Sequence, residues 1–378
     1  MANYWITAIV LLGVAPGQMR AQDQVFKNAF ALYTSGSVEE ARHMLLASER
    51  QNPSALDLSL LGTIEFQEGH LADSRTHLLS AIGREPGLAG ARSTLATVFE
   101  AEGKLDRAEA QLEWLRTKSP RDTHVLLALA RVRNLRGNSE AALAVALEAK
   151  RIAPADAKIL YAVGVLCLQM DLIKDGATNL ERAAALERNP ATLYALASAR
   201  VANRDLEGAV KIYQELLKSE PDNAQVNYAL GATYFLESQN EAAKPYFERS
   251  VAIQPDQVES FYYLGLIADQ GGDKEKSIET LRTVIARSPD HVRAHIALGM
   301  EYRSLGRLNE SRIEFEEAVR LSPDSQKAHY QLGLVLNALK ELGDAKKQLD
   351  MATRLRISSD DKVSWQLLPD AGHAHPTQ

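Results

Sequence analysis

The chain has 378 residues, a net charge of −6, 46% hydrophobic and 24% charged residues, and one cysteine. The acidic balance argues against a nucleic-acid binder, which carries a basic stripe, and against docking on an anionic membrane surface. The lone Cys167 rules out an internal disulfide; it falls on the apolar face of an expected helix and reads as a small buried hydrophobe.

The first 21 residues differ from the rest. Tyr4 to Ala15 is an almost unbroken apolar run, followed by Pro16-Gly17 and Met19-Arg20-Ala21-Gln22. Twelve apolar residues fall short of the roughly 20 that span a bilayer, but they suit the hydrophobic core of an export signal. Ala15, Gly17 and Ala21 offer small residues for cleavage. The expectation is an export signal over 1–21 and a periplasmic or extracellular mature protein, tethered to the membrane if the segment stays uncut.

From there on the sequence repeats. Prolines at Pro53, Pro86, Pro120, Pro154, Pro221, Pro255, Pro289 and Pro323 set a 34-residue period. Self-similarity at such a period marks a stacked repeat architecture, in which each unit buries its apolar face on its neighbours. Aligned on the prolines, the units start at Gln22, Ala55, Ala89, Thr123, Ala157, Pro190, Ala224, Val258, Val292 and Gln326. The eighth place is always small (Ala29, Gly62, Ala96, Ala130, Gly164, Ala197, Gly231, Gly265, Gly299, Gly333), and so is the twentieth. Small residues at matched places mean helices that approach closely, because a large side chain at the crossing would push them apart. The seventh place is aliphatic in every unit but the first, which has Asn28, and the twenty-fourth is mostly large and apolar. Breaks such as Glu102-Gly103-Lys104 and Gly271-Gly272-Asp273 separate two amphipathic helices within each unit. Pro-Asp at 221–222, 255–256, 289–290 and 323–324 is expected to end one unit and cap the next helix.

These residues resemble the tetratricopeptide repeat family. Leu230-Gly231, Tyr234, Ala243, Phe247 and Pro255 follow its pattern closely, as do Leu298-Gly299, Tyr302, Phe315 and Pro323. The resemblance covers roughly 22–357 and implies an all-α, right-handed superhelical solenoid of about ten antiparallel helix pairs. The fifth unit departs from it, with Arg188 at the proline place and Pro190 two residues on, which suggests a looser superhelix there. Beyond the repeats, 358–378 is expected to form a capping segment (Lys362 to Leu368, with Trp365 inward) and a tail.

No phosphate-binding glycine loop, nucleophile elbow or zinc-protease motif occurs, so neither an enzyme nor a cofactor is expected. His291, His295 and His329 recur at repeat spacing. Stacking can bring them together, and three histidines can hold zinc, although fourth-place residues also pack between helices. His373 and His375 in the tail make a weaker pair.

In the family's superhelix the first helix of each pair lines a concave groove. The fifth place there reads Tyr161, Tyr194, Tyr228, Tyr262, Ile296 and Tyr330, with Phe235, Met300, Arg303, Lys327 and Asn337 expected on the same face. Tyrosines at repeat spacing offer rigid amphipathic surfaces for a protein or peptide segment; they can equally serve packing. The sixth place holds Ala128, Ala162, Ala195, Ala229 and Ala297, so the asparagine ladder of the sugar-transferase relatives is absent, and the clamp for chaperone tails is not found. The reading is a non-catalytic protein-binding scaffold, or alternatively a regulatory or assembly subunit of an envelope-associated enzyme or export complex.

Overall fold

The computed structural model describes residues 24–358. The export segment, Gln22, the capping segment around Trp365, and His373 and His375 lie outside them. The described residues are all-α: twenty helices in consecutive antiparallel pairs. The first compact unit, up to Glu187, holds α1 (Gln24–Ser35), α2 (Val38–Glu49), α3 (Ala55–Gln67), α4 (Leu71–Arg84), α5 (Ala89–Ala101), α6 (Leu105–Lys118), α7 (Thr123–Leu135), α8 (Ser139–Ile152), α9 (Ala157–Gln169) and α10 (Ile173–Leu186). The second, from Arg188, holds α11 (Pro190–Ala202), α12 (Leu206–Ser219), α13 (Ala224–Leu236), α14 (Asn240–Ile253), α15 (Val258–Gln270), α16 (Lys274–Arg287), α17 (Val292–Ser304), α18 (Leu308–Leu321), α19 (Gln326–Ala338) and α20 (Leu342–Ser358). Odd-numbered helices are the first of each pair.

Every eighth-place and twentieth-place small residue is buried. The reason is legible at the glycines. A Cβ on Gly62 would stand 2.7 Å from Leu78 Cγ, one on Gly164 2.6 Å from Leu180 Cγ, and one on Gly299 2.7 Å from the Phe315 ring. The eighth place of the first helix therefore receives the twenty-fourth-place side chain of its own partner. Two of the three twentieth-place serines add a hydrogen bond across the same crossing: Ser74 Oγ donates to the Gly62 carbonyl and Ser311 Oγ to that of Gly299, both at 2.6 Å, whereas Ser277 Oγ donates to Glu301 Oε1 of the next repeat. Seventh-place Leu298 and Leu332 bury in clusters shared with the preceding pair. Asn28 is polar because its place is exposed.

The turn inside each pair is equally regular. At the fifteenth place the backbone adopts positive φ in all ten repeats, as glycine in six (Gly103, φ 69°, for one) and as Asp171, Arg204, Ser238 and Lys340 in the others. The next amide closes the helix end on the carbonyl five residues back, as Lys104 does on Phe99 at 2.7 Å and Gln239 on Tyr234 at 2.9 Å.

One expectation needs correction. The aspartates of the Pro-Asp pairs are not the helix caps. The residue after each holds the cap position: Asn223 accepts from the Val226 amide, His291 Nδ1 from Ala294, and Ser325 from Ala328. Asp290 and Asp324 instead accept from the hydroxyls of Ser288 and Ser322 and brace the turn. At the atypical fifth boundary, Asn189 caps α11 with Pro190 in its first turn, a position that needs no N–H. The connector there has three residues, 187–189, where its neighbours have four, and the division between the two units falls on it.

In the first unit one buried ionic contact ties three helices. His77 of α4 lies between Glu65 of α3 (2.6 Å), which is 3% exposed, and Glu49 at the end of α2 (3.0 Å). The Glu65 hydrogen bond outweighs the opposing pull of burial and, with Glu49, raises the imidazolium pKa to about 9. A group whose folded pKa is raised from 6.5 contributes fully below that value and loses its contribution as pH rises through about 9. The stability of the first unit should therefore fall across that window, by well under about 3 kcal/mol because Glu49 is partly exposed and solvent screens its share. The H77Q variant, followed by chemical denaturation, should lack this slope.

Candidate functional site

The candidate site is the face of the first helices, and its openness follows a rule. Within the second unit, the second-place residue of one repeat lies over the fifth-place residue of the repeat before. Gln225 Nε2 donates to the Tyr194 hydroxyl at 3.0 Å, and the Arg293 guanidinium sits 4.8 Å from the centre of the Tyr262 ring. Residues so covered are buried or half-buried. Among the described residues no repeat follows α19 and α20, so Tyr330 has no such cover and is 44% exposed.

The proposed ladder accordingly divides. Tyr194 is half-buried, edge-on to Tyr213 with ring centres 5.7 Å apart. Tyr228, Tyr262 and Ile296 are buried. Tyr228 packs against Phe247 and Tyr263, and Phe235 meets Tyr263 edge-on at 5.1 Å. Burial pushes the Tyr228 phenol well above its usual range and that of Tyr262 to about 12. The centre of this aromatic cluster is Tyr263, which stacks on Phe247 at 5.0 Å and stands at the sixth place, where five other repeats have alanine. Sequence reasoning passed over it.

The open end lies on α17 and α19, which pack side by side. Met300 is 37% exposed, Lys327 and Asn337 are exposed beside Tyr330, and Arg303 is half-buried, donating to Gln331 Oε1 at 2.7 Å. Nearby, Glu259 accepts from both His291 (3.1 Å) and Arg293; burial pushes its carboxyl up, but these two partners hold it below the ordinary value.

The histidines do not converge. His295 and His329 each place Nε2 on the carbonyl of a preceding repeat, Pro289 at 3.0 Å and Pro323 at 2.9 Å, and turn Nδ1 to Glu314 and Gln348 respectively. They are stacking ties between repeats. Among the described residues no group of three or more His, Cys, Asp or Glu side chains is placed to hold a metal ion. Cys167 is buried, and burial pushes its thiol pKa up.

In the first unit, Tyr161 is half-buried and lines a cavity of about 390 Å³ between α7 and α9, with His124, Leu127, Ala128, Arg131, Asn134, Ala162 and Val165 around it. Repeat 4 was not anticipated as part of the site. The sixth-place alanines carried the signal, since two small residues side by side leave room between helices.

The profile described as Tetratricopeptide repeat matches residues 93–157, 194–258 and 237–292, and the one described as TPR repeat matches 299–340, together more than half of the chain. The chain belongs to the tetratricopeptide repeat family. Over 139 residues, 37% of its length, this TPR chain is 26% identical to BBSome complex member BBS4 of Bos taurus and 25% identical to that of Mus musculus. Those matches span about a quarter of each relative. Among solved structures, a tetratricopeptide repeat protein from Parabacteroides merdae matches 65% of this chain and 98% of its own, with a TM-score of 0.54 and 16% identity, which shows the fold. MamA matches 43% of this chain and 95% of its own, with a TM-score of 0.40 and 23% identity.

The exposure pattern separates packing from surface. Replacing Tyr228 by Ala should destabilise the second unit by about 3–5 kcal/mol, as for buried aromatics generally. Replacing Tyr330 by Ala should stay within about 0.5 kcal/mol; paired denaturation curves decide between them.

Proposed function

We propose that this TPR chain is an exported, non-catalytic scaffold that holds a segment of a protein partner along the open face of its first helices. Members of the family are protein-interaction scaffolds, typically without catalysis, and bind protein or peptide partners. The observation that carries the reading is the character of that face. It leaves Met300 and Tyr330 open next to Lys327 and Asn337 in the second unit, and in the first it carries the α7–α9 cavity, with Leu135 47% exposed at the end of α7. Apolar and aromatic side chains with scattered polar groups at fixed spacing suit an extended segment read side chain by side chain. The second helices present ion pairs to water instead, such as Lys211–Glu207, Arg312–Glu316 and Arg320–Glu317. Export is supported by the apolar run Tyr4 to Ala15 and the small residues behind it. A place within a larger assembly is supported by the likeness to a protein named as a complex member.

A photoreactive amino acid at position 330 or 135 should cross-link a partner protein in the native cells, whereas one at Ile313, 61% exposed on α18, should not. Equal labelling from position 313, or none from 330 and 135, would contradict the groove. The exported protein should begin at Gln22; an intact N-terminus in the cytoplasm would remove the export part.

A further inference from the structure

We infer that the cavity between α7 and α9 is an anchor site for a large apolar side chain carried on an acidic peptide segment. The inference rests on the groove reading above and names what one part of the groove takes.

Its shape comes from the sixth and fifth places. Ala128 and Ala162, each half-buried, leave a gap between neighbouring first helices, and Leu127, Tyr161 and Val165 wall it. At about 390 Å³ it lies within the roughly 300–1,000 Å³ of small-ligand pockets, and its lining is apolar with few polar groups, as such sites are. Tyr161 contributes a flat ring, and its hydroxyl is held neutral, since burial raises its pKa.

The charge at the mouth selects the occupant. The chain as a whole is acidic, at −6. On the first-helix face of repeats 3 to 5 the balance reverses. At the groove places the only acid is Glu100, tied to Arg131 at 2.9 Å, while Arg131 and the exposed Lys158 are both cationic. The Arg131 side chain is 58% exposed although it is paired, so part of its guanidinium fork faces water. A carboxylate arriving beside an inserted apolar side chain gains a second, charge-assisted contact at Arg131, which lines the cavity, while Lys158 adds positive charge on the same first-helix face. A basic segment would meet two like charges. A neutral ligand would fill the gap without using the mouth.

The test is selection from a random twelve-residue peptide library displayed on phage against the full chain, followed by titration of the recovered peptides with fluorescence anisotropy. The expected result is a consensus of Phe, Trp or Leu flanked by Asp or Glu. Ala162→Phe, which fills the gap, should weaken those peptides at least tenfold. Arg131→Glu, an exposed change, should weaken them comparably and shift selection away from acids. Unchanged denaturation midpoints establish that both variants are folded, and if Ala162→Phe fails this, Arg131→Glu decides alone. A basic or charge-free consensus would overturn the inference. So would acidic peptides indifferent to Arg131→Glu but lost on Met300→Ala with Tyr330→Ala, an outcome that leaves the groove reading standing. Recovery of no binding peptide would count against both.

Discussion

The structure depends on one contact repeated along the chain: a small residue at the eighth place of a first helix against the twenty-fourth-place side chain of its partner. At Gly62, Gly164, Gly299 and Gly333 even a methyl group would come within 3 Å of the facing side chain. Interiors packed to crystal-like density leave no slack for such an overlap. Once the two helices touch at that depth, their remaining apolar residues face outward from the pair and must be covered by the pairs before and after. Stacking is thus a consequence of how each hairpin closes: the first unit's core is one cluster running from Phe26 to Cys167, and the second unit's includes separate clusters around Phe247 and Phe315.

The same geometry decides what can be bound. Within the second unit first helices lie side by side, so a residue at the second place of one repeat covers the fifth place of the repeat before it. Open surface is left where, among the described residues, that cover is missing, as at Tyr330, or where two sixth-place alanines adjoin, as between α7 and α9. Packed and open positions lie on the same rows of side chains, and the identity of one neighbour decides whether a residue is covered or exposed. Tyr263 does this in the second unit, filling the space that alanine leaves elsewhere and burying Tyr228 behind it.

Much of the fold was legible because the evidence for it is periodic. The starts at Ala55, Ala89, Thr123, Ala157, Pro190, Ala224, Val258, Val292 and Gln326 are the first residues of their helices. Ten copies of one pattern overrule local ambiguity, and even Arg204 and Lys340, poor residues for positive φ, adopt the turn conformation that glycine takes in other repeats. The caps were misplaced by one residue because aspartate is a strong cap signal in isolation, while at Asp290 and Asp324 the serine two residues before competes for the carboxylate. The site was less legible. A tyrosine at a groove place looks alike in the sequence whether it is covered or open, and covering depends on pairs of residues about thirty apart. The α7–α9 cavity is defined by small side chains, which attract notice only as the absence of larger ones.

The claim that the crossing contact governs the array is tested most directly by a double-mutant cycle at Gly299 and Phe315, read by equilibrium denaturation. Gly299→Ala alone should destabilise by about 1–3 kcal/mol through overpacking. Adding Phe315→Leu, which restores the alanine–leucine pairing that repeat 3 uses as Ala96 and Leu112, should recover most of that loss. Additive losses, with no coupling between the two positions, would contradict the account.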